Sequence, residues 1–255
     1  MTDSHCHLTD PRILQQLDGV LARCVANGVT RMITIGTEPD DAKAAIDVCR
    51  GRENVRCAVG VHPNYCHEVP ESRWGELRDL QCDPSVVALG EMGLDYFHQF
   101  ADRKLQRRCF EFQLSLAQGL GRTVVIHSRE AIDDTLAVMA AFRSVRAVFH
   151  CFTGTASEAE RILAAGHYLG FTGAVTFKKN DALRDIARTC PRDRLLVETD
   201  APYLTPEPHR NVKTNDPSYV VYVADVIAHL WGVDRAEVDR VTTANCTALF
   251  DWPAA

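Results

Sequence analysis

At 255 residues and 46% hydrophobic composition, the chain has the size and apolar content for the core of one β/α barrel. Its formal net charge of -6 argues against broad electrostatic attachment to nucleic acid, so a nucleic-acid substrate would have to be held locally. No apolar stretch approaches the roughly 18 residues of a membrane span. The initial MTDSHCH is polar, and the ten cysteines are scattered without a C-x-x-C pair, so a cytosolic protein with reduced thiols is expected.

In chain order, an N-terminal strand ends at His7 and a helical pattern follows over Pro11 to Asn27. Strand-like runs then recur at Thr30 to Thr37, Val55 to Val61, Val86 to Gly90, Thr123 to His127, Arg146 to His150, Tyr168 to Thr172 and Leu195 to Thr199. Helix-period segments separate them: Asp40 to Arg50, Glu71 to Leu80, Ala101 to Gln118, Glu130 to Phe142, Ser157 to Ala165 and Ala182 to Thr189. Two more helices, Tyr219 to Trp231 and Arg235 to Phe250, follow a proline-bearing stretch from Ala201 to Pro217. Eight strands alternating with helices favour a single (β/α)8 TIM-type barrel over residues 1–255, rather than an open doubly wound sheet.

Metal-ligand residue types stand at the ends of these apolar runs: His5 and His7 in DSHCHL, Glu91 in GEMGLDY, His127 in VIHS, His150 in FHCF and Asp200 in ETDAP. Side chains alternate along an extended backbone, so His-x-His points both imidazoles to one side and Cys6 to the other. Taken singly, each residue has an ordinary explanation. Glu91 can pair with an arginine, Asp200 can serve a turn, and His127 and His150 can be hydrogen-bonded core histidines. Six such residues at one face of a barrel point instead to divalent ions, whose charge would offset the cost of burying the carboxylates. His67, His98, His167, His209 and His229 lie on helical or loop stretches and are expected at the surface.

The blocks DSHCHL, GVHPN, GEMGLDY, VIHSRE, HCFTG, ETDAPYL and TANCTALF, in this order, resemble the TatD family of metal-dependent deoxyribonucleases, a branch of the amidohydrolase-like barrels. The resemblance covers essentially the whole chain. It implies a two-metal nuclease in which His5, His7, Glu91 and Asp200 hold one ion, while Glu91, His127 and His150 hold the other. It departs from the family pattern at Asn64, where a second histidine often follows GxHP, and at His209 to Lys213, where an Arg-Gly-Lys-like stretch is common.

The expected activity is hydrolysis of DNA phosphodiester bonds by a metal-activated water, acting as an exonuclease on single strands or ends. Asp200 would also orient or deprotonate that water, with Glu91 as the other catalytic carboxylate. Substrate-binding candidates are His62, Asp95, Tyr96, Arg129, Arg210 and Lys213; Asp95 or Glu198 can alternatively orient a ligating imidazole. Arg129 is either a phosphate clamp or half of a structural salt bridge. Magnesium or manganese is the expected working ion, with zinc or nickel also compatible with the ligands. No membrane and no obligate protein partner is implied. The competing readings are an amidohydrolase or lactonase on the same barrel and, in another class, a non-catalytic metal-stabilised scaffold.

Overall fold

Short buried strands and amphipathic helices alternate throughout the computed structural model, which describes residues 1–252. The strands β1 (Thr2–Cys6), β2 (Arg31–Gly36), β3 (Val55–Val59), β4 (Val86–Asp95), β5 (Val124–Arg129), β6 (Ala147–Phe149), β7 (Tyr168–Phe171) and β8 (Leu195–Val197) succeed one another in sequence order in one eight-stranded sheet. Every pairing described is parallel, giving the TIM-type (β/α)8 order that the alternation predicts. Strands covered on both faces read as continuous apolar runs. Accordingly Ile33, Leu89, Ile126 and Leu196 are fully buried, each worth roughly 1.5–3 kcal/mol relative to exposure.

The chain forms two compact units, Met1–Thr34 with Cys151–Ala255, and Ile35–His150. In the first, the predicted helix over Pro11 to Asn27 is two helices, α1 (Pro11–Leu14) and α2 (Leu17–Ala26), separated where Gln16 leaves helical geometry at φ -131. Asp10 caps α1, with Pro11 in its first turn. The same unit holds α8 (Ala156–Ala164), opened by a Thr155/Glu158 capping box, together with α9 (Asp181–Thr189), α10 (Val220–Trp231) and α11 (Arg235–Phe250).

The second unit holds α3 (Pro39–Cys49), α4 (Glu71–Trp74), α5 (Glu76–Leu80), α6 (Arg103–Leu120) and α7 (Ile132–Met139). The predicted helix over Glu71 to Leu80 divides at Gly75 into α4 and α5. A larger departure is β4, which continues past the predicted end at Gly90 to Asp95. Gly90 and Gly93 have φ of 133° and 142°, a region open mainly to glycine. A Cβ on Gly93 would lie 1.9 Å from the His127 carbonyl oxygen. The two glycines therefore let β4 lie close against β5, and Glu91 falls within the strand instead of just beyond it.

Helix α6 fixes the backbone around the site. Asp102 caps it by accepting from Lys104 N and Leu105 N, and Gly121 ends it at φ 64°. Its buried face carries Gln106 and Gln113, seven residues and so about two turns apart. Gln113 accepts from Val61 N (2.8 Å) and donates to Val61 O (3.0 Å). Gln106 likewise accepts from Asp95 N (2.8 Å) and donates to Asp95 O (2.9 Å). The segments carrying His62 and Asp95 are thus pinned to one rigid helix. Among the described residues, no helix is long and apolar enough to cross a membrane.

Candidate metal centre

In the second unit, three imidazoles surround one oxygen of Glu91. Oε1 lies 2.7 Å from His150 Nε2, 2.9 Å from His127 Nδ1 and 3.3 Å from His62 Nε2, while the residue is 2% exposed. Burial alone would raise this carboxyl, but the charge of His150 and hydrogen bonds from His127 and His150 override it, holding Glu91 well below the usual carboxylate range.

The second ring nitrogen distinguishes His127 from His62 as a ligand candidate. His127 Nε2 lies 3.1 Å from Asp95 Oδ2; the ring donates there and, when protonated, from Nδ1 to Glu91, so that loss of the Nδ1 proton leaves a lone pair directed toward Glu91 and His150 while Nε2–H stays on Asp95. His127 Nδ1 and His150 Nε2 are 3.4 Å apart. Three donor atoms of the types preferred by transition-metal ions therefore converge. His62 also lies close enough to Glu91 and His127 to complete a ligand cluster, but its Nδ1 accepts from Asn64 N at 3.0 Å. That contact places the proton of the neutral ring on Nε2, facing Glu91 as a donor rather than offering a ligand lone pair. Burial lowers the His62 pKa to about 4 despite Glu91, which keeps the ring neutral.

Asp95 is buried as well, and its carboxylate is committed: besides His127 it meets His98 Nδ1 (2.9 Å), Asn64 Nδ2 (3.3 Å) and the backbone N–H groups of Phe97 and His98. Burial would raise its pKa, yet the bonds from His127 and His98 bring it below the usual range. His98, expected at the surface, is half-buried against this carboxylate.

In the first unit, His5 Nε2 and His7 Nε2 lie 3.6 and 3.3 Å from Asp200 Oδ1, with ring centroids 5.1 Å apart. The alternation argument is met, since Cys6 points elsewhere and donates to Ile33 O (3.5 Å). Asp200 follows β8 in left-handed geometry at φ 54°. Its N–H donates to His5 O (2.9 Å), and His7 N donates to Ala201 O (2.7 Å), which stitches β1 to the turn that presents Asp200. These three side chains also suit a divalent cation.

Behind them lies Asp3, a residue of the DSHCHL block that sequence reasoning passed over. Fully buried, it accepts from Thr199 N (2.9 Å), Thr199 Oγ1 (2.6 Å) and His5 N (3.3 Å). Burial pushes its carboxyl up to about 8 against those hydrogen bonds. Glu198, likewise buried, accepts from Cys151 N (2.5 Å) and Ser4 Oγ (3.3 Å).

The remaining substrate candidates differ in availability. The Tyr96 hydroxyl donates to Asp134 (2.6 Å), and Arg210 donates to Thr205 O (3.0 Å) with its guanidinium over the Phe177 ring. Lys213 is exposed. Arg129 is also exposed and, among the described residues, makes no ion pair; its guanidinium lies 4.0 Å from the Phe97 ring centroid. His167, expected at the surface, is buried.

This β/α order with its imidazole–carboxylate clusters defines a barrel-type metal-dependent hydrolase. The chain belongs to the TatD family: the family described as TatD related DNase matches residues 2–251. It is 38% identical to the Escherichia coli K12 protein YcfH, described as an uncharacterized metal-dependent hydrolase, over 98% of this chain and 95% of that one. It is 35% identical to the "3'-5' ssDNA/RNA exonuclease TatD" of Enterobacter lignolyticus, over 98% of each chain. The crystal structure of YJJV, a TatD homologue from E. coli K12, superposes with a TM-score of 0.94 at 26% identity, covering 99% of this chain and 98% of that one.

Proposed function

We propose that the protein is a single-domain, two-metal phosphodiesterase that shortens single-stranded DNA or DNA ends as an exonuclease. The observation that carries this reading is the convergence of His127 Nδ1 and His150 Nε2 on Glu91 Oε1, with Asp95 fixing the His127 tautomer. In the proposal His5, His7 and Asp200 hold one divalent ion and Glu91, His127 and His150 the other; the family resemblance further implies that Glu91 serves both. Magnesium or manganese is the proposed working ion. When bound, such ions neutralise phosphate charge and lower the pKa of water.

The chain's own groups supply the rest. Asp200, presented beside His5 and His7, accepts the proton of the attacking water. Asp95 keeps His127 oriented, and neutral His62 donates from Nε2. The unpaired Arg129 guanidinium is suited to hold a phosphate oxygen, and exposed Lys213 adds a cation that can meet the strand farther along. The reading gains support from the relative named as a 3'-5' ssDNA/RNA exonuclease. The proposed compartment is the cytosol, consistent with ten free cysteines.

The test is hydrolysis of end-labelled single-stranded DNA with magnesium or manganese, beside Glu91→Ala and a chelator control. Stepwise shortening that requires both metal and Glu91 is the expected result. A folded, metal-loaded protein that leaves DNA intact while hydrolysing amides or lactones would overturn the reading.

A further inference from the structure

Directly after Asp95, the chain exposes apolar rings that contribute little to the core. Phe97 is 51% and Phe100 60% exposed, on a segment otherwise held firmly by hydrogen bonds from Phe97 N and His98 N to Asp95. The His98 and Phe100 rings stack, with centroids 5.4 Å apart and an interplanar angle of 9°, while Phe97 meets His98 edge-on at 4.9 Å and 87°. A stack with an exposed outer face is a platform that one more flat ring can extend. Arg129 lies over Phe97 as a cation without an anionic partner among the described residues. The contrast is Arg12, also over an exposed aromatic, Tyr203, but fixed by two hydrogen bonds to Asp10 (2.8 and 2.7 Å).

We infer that Phe97, His98 and Phe100 seat an unpaired nucleobase of the strand, with Arg129 meeting the adjoining phosphate; this deepens the phosphodiesterase reading and rests on it. Three features select this occupant. The platform is continuous with the metal-ligand candidates, because Asp95 joins His98 on one side and His127 on the other. The rings present π-faces, which accept any base without a hydrogen-bond code, as single-strand binders require. The positive charge sits beside the rings in a protein whose net charge is -6, so attraction to the strand is local. A base locked within a duplex cannot reach the stack, so the platform favours frayed or single-stranded ends.

The experiment compares two end-labelled oligonucleotides of equal length, one normal and one with abasic sites at its terminal positions, on wild type and on Phe97→Ala/Phe100→Ala. Wild type is expected to cleave the normal strand with kcat/KM roughly tenfold or more above the abasic strand. The double variant should lose that preference through a raised KM for the normal strand, with metal content and thermal unfolding at wild-type values. Phe97→Trp/Phe100→Trp should restore it. Equal cleavage of both strands by wild type, or a preference that survives in a folded double variant, overturns the inference and leaves the phosphodiesterase reading intact. Cleavage of neither strand by metal-loaded wild type overturns that reading, and the inference with it.

Discussion

Glu91 and Asp3 are both buried carboxylates, one in each compact unit, and they ionise in opposite directions. Asp3 is surrounded by neutral donors, the Thr199 hydroxyl and two backbone N–H groups, and burial prevails. Glu91 is surrounded by imidazoles, which overcome the same burial. A carboxylate kept ionised beside imidazole nitrogens is prepared for a cation, whereas one kept neutral by its surroundings holds a turn in place. The number of hydrogen bonds is similar at the two sites; the charge of the partners separates a metal-ligand candidate from a structural acid.

The most severe way to challenge that contrast is to remove the charge of each. Glu91→Gln is nearly isosteric and should reduce metal-dependent hydrolysis by roughly a thousandfold or more, whereas Asp3→Asn should keep metal and most activity; equal losses in a turnover assay would erase the distinction. Asp95→Asn acts through His127 and should weaken metal binding by roughly 10–100-fold, read by competition with a chelating dye, with the fold unchanged by circular dichroism. Gln113→Leu leaves Val61 N and Val61 O without their partner and should cost about 1–3 kcal/mol in urea unfolding, alongside a raised KM if His62 shifts.

The smallest effect concerns pH. The Asp3 pKa is raised on folding, so its contribution to stability is present below 3.8 and is lost as pH rises through about 8. Glu91 and Asp95 are depressed on folding, so their contribution is present above their unfolded pKa values and is lost as pH falls. In metal-free protein, Asp3→Asn should therefore gain stability over wild type by more at pH 8 than at pH 5, on the order of 1 kcal/mol or more. Parallel urea midpoints across that interval would contradict the Asp3 account.

The alternation of apolar strands and amphipathic helices was legible because parallel strands covered by helices have no polar face to interrupt them. Six metal-ligand candidates were legible because each follows such a run, and the structure gathers His5, His7 and Asp200 in one unit and Glu91, His127 and His150 in the other. The extent of β4 was not, since Gly90 and Gly93 read locally as strand breakers while the close approach to His127 O that requires glycine is tertiary. Asp3, Gln106 and Gln113 escaped notice because buried polar residues on apolar faces announce nothing about their partners. The signal for Asp3 lay in a carboxylate two residues before His5, on the N-terminal strand that ends at His7. His62 is separated from the metal-ligand candidates only by the Asn64 N–H on its far nitrogen, a backbone contact with no trace in residue type.

The central claim is best tested by calorimetric titration of metal-free protein with manganese, run on wild type and His127→Ala. Two ions should bind per wild-type chain and one should be lost in the variant, whose His5, His7 and Asp200 remain. A wild-type chain that binds no manganese, or a His127→Ala variant that binds as wild type does, would contradict the account.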